Sequence, residues 1–333
     1  METVRSRFRK ALRGERAADR LPVMEWAMWW DQTLARWHGE GLSSDLDSAA
    51  VKRFFGLDLD YQIWFPQFAP DAPAQPPGGR PFWVESDADY DDLRPYLYPD
   101  PIPYDRSYWQ ARASEQDAGE AVIWVTLSGF FWWPRVLLGI EPHLYAFYDR
   151  PRLLHRINED QTGYLRRCLD DLAAICIPDF ATIAEDMSYN HGPMLSQESF
   201  SEFLAPYYRC LVPRLEELDI VPIVDSDGDV EPLIPWLESV GLRGILPLER
   251  MAGVDVNRIR RNHPQWIMIG GFDKTVMHLG EAAMRAEFER LLPAMRSGRY
   301  IPSVDHQTPP AVSITDYRLY LELLREYAAR AVE

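Results

Sequence analysis

The second half of this chain repeats one arrangement: a short apolar run, acidic residues at its end, then an amphipathic stretch. ATIAEDM at Ala181–Met187 precedes an amphipathic helix over Gln197–Glu217 that starts after Ser196. IVPIVDSD at Ile220–Asp227 precedes a helix over Val230–Val240, and LRGILPLE at Leu242–Glu249 one over Val254–Asn262. WIMIGGFDK precedes a helix over Glu281–Met295, and RYIPSVDH ends the series. Apolar runs without alternation read as strands buried on both faces, and strands in series with helices make a parallel sheet with right-handed crossovers.

The first half is looser. Val4–Arg13 places Val4, Phe8, Ala11 and Leu12 on one side of a short amphipathic helix. LPVMEW is the first strand candidate, Trp29–Trp37 is helical, and YQIWF at Tyr61–Phe65 is the second strand. Pro66–Pro103, rich in Pro, Gly and Asp, reads as a long excursion with a hairpin around PFWVES. Ala121–Leu127 is the next strand and Leu144–Ala174 is mostly helical. About eight strands and no GxGxxG after any of them favour a distorted (β/α)₈ barrel of the TIM type over an open doubly wound sheet. With 333 residues the chain reads as one domain spanning 1–333.

In such a barrel the carboxyl ends of the strands carry the chemistry. In chain order they offer Glu25, then Glu185 and Asp186, Asp225 and Asp227, Glu249, Asp273 and Lys274, and finally Asp305 and His306. Carboxylates gathered in one partly dry mouth repel one another, which raises a pKa and makes a general acid or base available unless a cation is bound. Asp186, Asp225, Asp227 and His306 are the catalytic candidates. Asp225, Asp227 and His306 could also converge as oxygen and imidazole ligands for a divalent metal such as zinc. Helix capping is the plainer role for Asp229, Asp255 and Ser196. His191, in the turn YNHGP, is a second imidazole, read as hydrogen-bonded in its loop. There is no GxSxG elbow and no cysteine at a strand end, so acyl transfer by a serine or thiol is not supported.

Two aromatic clusters, WAMWW at Trp26–Trp30 and FFWW at Phe130–Trp133, follow the first and third strand candidates. Tryptophans there are core residues or walls of a pocket for an apolar or planar ligand. Trp26, Trp29, Trp30 and Trp133 are therefore candidates for substrate binding, with Glu25, Tyr189, Asn190, Glu249 and Lys274.

A net charge of −16 lacks the basic footprint of a nucleic-acid partner. Local cations such as Arg20, Arg135 and Lys274 could still make a positive pocket for an anionic small molecule. No run of 18 apolar residues marks a membrane span, and the charged start METVRSRFRKALRGER has no apolar core for secretion, so the expected location is the cytoplasm. Cys168, Cys176 and Cys210 have no metal-type spacing and read as reduced and structural.

These residues together resemble the uroporphyrinogen decarboxylase superfamily. The likeness lies in EDMSYNHGPMLSQESFSEFLAPYYR, VPIVDSDGDVEPLIPWLESVGLRGILPLERMAG, IMIGGFDK and GRYIPSVDHQTPPAVS, and more loosely in RFRKALRG, RLPVMEW and the LLG of Leu137–Gly139. The resemblance implies a distorted (β/α)₈ barrel and one of two chemistries. The haem-pathway decarboxylase has an arginine-rich turn after its first strand for substrate carboxylates, where this chain reads MEWAMWW. The cobamide-dependent methyltransferases carry a His-x-Cys-Gly motif and a later cysteine for zinc. Asp225 and Asp227 stand at the His and Cys positions here, and Asp305–His306 lies near the last one.

The resemblance therefore implies an enzyme nearer the methyltransferase branch, moving a one-carbon group from a small methylated substrate to a corrinoid or other carrier, with the corrinoid held by a partner protein. The alternative is a cofactor-independent decarboxylase acting on a porphyrinogen or another aromatic carboxylate, with Asp186 or Asp225 holding a cationic intermediate. A binding protein built on a degenerate barrel is a third reading. Barrels with apolar flanks often dimerise, which makes a homodimer an expectation.

Overall fold

The structure, a computed structural model, describes residues 2–333. Seven parallel strands form one curled sheet in the order β1-β2-β3-β6-β7-β8-β9. They are β1 (Leu59–Trp64), β2 (Ala121–Ser128), β3 (Phe180–Ala184), β6 (Val221–Asp225), β7 (Gly244–Leu246), β8 (Ile267–Phe272) and β9 (Tyr300–Val304). The two-residue strands β4 (Ser188–Tyr189) and β5 (Gly192–Pro193) form an antiparallel tab beyond β3. The serial strand–helix reading of the sequence is thus the observed architecture, with most strands one to three residues shorter than their apolar runs.

The first strand candidate, LPVMEW, is not a strand. Leu21–Trp26 runs between β9 and β1, and single contacts replace a ladder there. The Asp58 amide donates to Val23 O at 2.8 Å, Ser303 Oγ to Met24 O at 3.0 Å and Trp26 Nε1 to Val304 O at 2.8 Å. Pro22 removes one backbone donor from this segment. The ring is therefore closed by an extended segment, and this is its distortion.

The ring interior is filled by Met24, Val122, Trp124, Phe180, Ile223, Leu246, Ile267, Ile269 and Ile301. Trp124 stacks on Phe180 at 5.3 Å. Strand residues of the other parity, such as Ile123 and Val125, join the larger core under the helices. The helix Val4–Arg13 puts Phe8, Ala11 and Leu12 into the interior cluster and plugs the end of the ring remote from the strand carboxyl ends. Its spacing of i, i+3, i+4 buries one face, Thr3 caps its start and Gly14, at φ 75°, ends it.

Three other local expectations change. PFWVES forms no hairpin: Trp83 N and Val84 N both donate to Leu137 O, and the chain enters a helix at Asp87–Leu93 that Ser86 caps. The helix expected over Gln197–Glu217 breaks at Leu204, because Pro206 lacks the N–H that would continue it. Asp229 caps no helix; its amide donates to Tyr189 O and its Oδ1 is buried without a partner. Asp255 and Ser196 do cap theirs. Among the described residues no helix is long and apolar enough to cross a membrane.

Candidate functional site

The loops that follow the strands meet over the open end of the ring, around a cavity of about 410 Å³. Going round the ring, its wall has two unlike arcs. Leu21–Trp26 and the residues after it supply Trp26, Ala27 and Met28; β1 supplies Gln62 and Trp64; the turn after β2 supplies Trp132. The following strands supply Asp186 beyond β3, then Asp225 and Asp227, and the loop after β9 closes the circuit with His306 and Gln307. One arc is indole and thioether, the other carboxylate and imidazole. Below Gln62, a side-chain chain runs across three strands from Gln62 Nε2 to Thr126 Oγ1 and on to Thr182 Oγ1, both at 2.8 Å.

The acidic arc is built by backbone constraint. Asp186 lies in the left-handed region at φ 42°, a conformation that costs a non-glycine residue about 1–3 kcal/mol and turns the chain sharply out of β3. Its neighbour Glu185 points the other way and is fully buried. The Glu185 carboxylate accepts the amides of Phe130, Phe131 and Trp132 at 2.8, 2.7 and 3.1 Å, and the hydroxyl of Tyr208 also donates to it. This caps the helix Trp132–Leu138, fixing where Trp132 stands. Gly129 is required there, since a Cβ would lie 2.1 Å from the Glu185 carboxyl carbon. Gly228, at φ 85°, lets the loop after β6 pass against the backbone of Tyr189.

Asp225 lines the cavity, and among the described residues its carboxylate has no hydrogen-bond partner. Burial, then the charges of Asp186 and Asp227, push its pKa well above the usual carboxylate range. Burial, then Glu249 and Asp186, push Asp227 up to about 7, partly offset by Lys274. Burial, then Lys274, lower His306. Asp227 Oδ2 and His306 Nε2 are 3.6 Å apart, and Trp26 meets the His306 ring edge-on at 6.1 Å between centroids.

Ligand atoms of Asp227, Glu249 and His306 all lie within 4.8 Å of one another. The sequence expected Asp225 in that set; Glu249 takes its place, its Oε2 accepting the Gly228 amide at 3.0 Å. Lys274 Nζ stands 3.8 Å from Glu249 and 3.5 Å from Asp305. Asp305 is buried and accepts the amides of Arg250 and Lys274 at 2.9 and 3.1 Å, so it ties together the loops after β7 and β8.

Several residues expected at the substrate lie elsewhere. Trp29 is 5% exposed and packs among Trp37, Phe55 and Tyr317. Trp133 is buried against Phe68 and donates Nε1 to Tyr98 at 2.9 Å, because the turn after β2 directs its neighbour Trp132 to the cavity. Trp30, Tyr189 and Asn190 are exposed and outside the cavity wall. Glu25 is buried beneath the mouth and accepts from Ser303 Oγ and Tyr317 OH at 3.2 and 3.1 Å, its pKa pushed by burial up to about 8. His191 is exposed and packs edge-on against Tyr189. Arg20 is paired with Asp58, and Arg135 donates to Asp186 O at 2.9 Å. Cys168 and Cys176 are buried and Cys210 is exposed on the helix Ala205–Glu217.

Trp64 and Gln62 were missed although a signal existed. In LDYQIW, Tyr61 and Ile63 join the outer core, so the alternate positions Gln62 and Trp64 belong to the inner face and the mouth. Choosing Trp132 over Trp133 had no such signal, since both stand in a helical turn.

Over 98% of this chain and 99% of the other, the fold matches a methyltransferase from Methanosarcina mazei, with TM-score 0.63 at 15% identity. A putative vitamin-B12 independent methionine synthase from Listeria monocytogenes matches over 95% and 97% of the two chains, with TM-score 0.43 at 12% identity. A search of curated protein sequences returns no match. The family description "Uroporphyrinogen decarboxylase (URO-D)" matches residues 148–327, which include every strand of the ring from β3 to β9 and the whole acidic arc. Since this is more than half of its length, the chain belongs to the uroporphyrinogen decarboxylase family.

Proposed function

We propose that this chain transfers a methyl group from a small methylated compound, bound in the cavity at the mouth of the ring, to a carrier such as a corrinoid held by a partner protein. The observation that carries this reading is the division of the mouth into an indole arc and a carboxylate arc. A methylated heteroatom has two such sides. Its methyl groups shed water against Trp26, Trp64 and Trp132, while the heteroatom lies towards Asp186, Asp225 and Asp227.

Without a metal, Asp227 and His306 are the acid–base pair. With a pKa near 7, Asp227 holds a proton for part of the time at neutral pH, and the imidazole beside it is held neutral by burial and by Lys274. An oxygen or nitrogen that loses its methyl group as an anion can take that proton. Asp305 fixes the loops after β7 and β8 beside Glu249 and Lys274, and Glu185 fixes the turn that carries Trp132, both through backbone amides.

A divalent metal fits the donors present. Asp227, Glu249 and His306 would hold it through two carboxylates and one imidazole, whose donor atoms lie within 4.8 Å of one another. When bound, such an ion supplies Lewis acidity at the mouth. The set contains no thiolate, so it suits an ion that accepts oxygen donors.

The decarboxylation of a polycarboxylate finds less support. Among the described residues no Lys or Arg lines the cavity, and three carboxylates do. A substrate with several acetate groups would meet like charge.

The test is a methyl-transfer assay of the purified protein with cob(I)alamin as acceptor and a panel of small methyl ethers, methylamines and methyl sulfides as donors. Methylcobalamin formation that falls at least about 100-fold in Asp227→Asn or His306→Ala is the expected result. Absence of methylcobalamin with every donor would overturn the reading.

A further inference from the structure

We propose that the methyl donor is itself a cation, an alkylammonium or sulfonium, seated between the indoles of Trp26, Trp64 and Trp132 and the carboxylates of Asp186 and Asp225. This rests on the methyl-transfer reading and specifies its substrate class. Asp186 and Asp225 line the cavity outside the cluster of Asp227, Glu249 and His306, so both would still face a ligand with a metal held there.

Two cations neighbour these groups, and the charge of Arg135 acts on Asp186. Arg135 donates to the Asp186 carbonyl and lies 5.0 Å over the Trp132 ring, and Lys274 sits beside Asp305 and Glu249. Asp225 is half-buried at the cavity wall without a hydrogen-bond partner among the described residues, so a ligand that brings neither positive charge nor a donor would cover it unpaired, which is costly. An onium head offers both halves of the mouth what they lack: diffuse positive charge for the carboxylates, and polarised methyl groups for the electron-rich indole faces. The cavity, about 410 Å³, is of the size that takes a small molecule.

For such a donor the chemistry balances without the Asp227 proton, which serves only a group that leaves as an anion. The bond from the methyl carbon to nitrogen or sulfur breaks, its electron pair stays on the heteroatom, and a neutral amine or thioether leaves. The electron pair of the acceptor forms the new bond to the methyl carbon.

Titration calorimetry with choline and with 3,3-dimethylbutan-1-ol tests the charge alone, because the second compound replaces the nitrogen of the first by carbon. Choline should bind about tenfold or more tightly than its neutral isostere. Asp225→Asn should remove most of that difference, and Trp64→Ala, at an exposed position, should weaken choline while leaving the thermal midpoint unchanged. Equal affinity for the two compounds, or no binding of choline or tetramethylammonium, overturns the inference. Methyl transfer from neutral ethers with no cation binding overturns it and leaves the methyl-transfer reading intact. Cation binding by wild type and its loss in Asp225→Asn support it even where no acceptor is methylated, a result that would overturn only methyl transfer.

Discussion

Asp227 and His306 face one another at 3.6 Å across the mouth of the ring, one from the loop after β6 and the other from the loop after β9, with 78 residues of chain between them. Glu249, from the loop after β7, forms with them a group whose donor atoms lie within 4.8 Å of one another. Elemental analysis of purified protein should find about one divalent ion per chain. Its affinity should fall in Asp227→Ala, Glu249→Ala and His306→Ala by more than the 10- to 100-fold that outer-shell changes cost, and fall less in Asp225→Ala. Retention of metal in Glu249→Ala would exclude this ligand set.

Trp64 and Trp133 should separate ligand binding from stability. Trp64 is 52% exposed and lines the cavity, so Trp64→Ala should lower donor affinity with a change in stability within about 0.5 kcal/mol. Trp133 is 3% exposed and hydrogen-bonded to Tyr98, so Trp133→Ala should cost about 3–5 kcal/mol. Urea unfolding of the two variants beside a binding titration checks both. An equal loss of stability in the two would contradict the assignment.

Glu185 should behave as a structural residue at the edge of the active mouth. Replacing it by Ala strands three backbone N–H donors, at about 1–3 kcal/mol for each donor left buried and unpaired. Glu185→Ala should therefore unfold at much lower urea than wild type, and Gly129→Ala should be destabilised as well, because its Cβ would overlap the same carboxyl group. A Gly129→Ala variant with the wild-type midpoint would show that the cap can move.

Glu25 predicts how stability depends on pH. Its pKa is about 8 in the folded chain, above the ordinary value of 4.5 that it recovers on unfolding. Between those values the native state holds a proton that the unfolded state has released. The stabilising contribution is thus complete below about pH 4.5, declines as pH rises and is gone above about pH 8. The slope from this one group approaches about 1.4 kcal/mol per pH unit within that window. Glu25→Gln keeps an amide in the place of the carboxyl beside Ser303 and Tyr317 and should flatten the curve, gaining on wild type at pH 8 relative to pH 5. Parallel curves for the two proteins would assign the pH dependence to other groups.

Much of this was legible from local pattern. The run IVPIVDSDGD announces a strand that ends in acid, and β6 ends at Asp225 with Asp227 in the mouth. Thr3 and Gly14 bracket the first helix as capping chemistry requires. Such features depend on neighbours within a few residues, where propensity and periodicity act. LPVMEW was misread for the same reason: its composition suits a strand, yet pairing depends on what β1 and β9 present on either side, and there they offer only single contacts.

The sequence by itself determined that acids and an imidazole would crown a ring of parallel strands, because each stands directly after its own apolar run and strands in series with helices must point the same way. Only the tertiary structure decided how the crown is divided. Whether Trp132 or Trp133 faces the cavity is set by the Glu185 cap on the helix that holds both, and whether Asp225 or Glu249 joins Asp227 and His306 is set by the loop after β7 reaching the Gly228 amide. Those contacts join residues 21 to 55 positions apart, and a packing relation at that separation leaves no periodic trace in the chain.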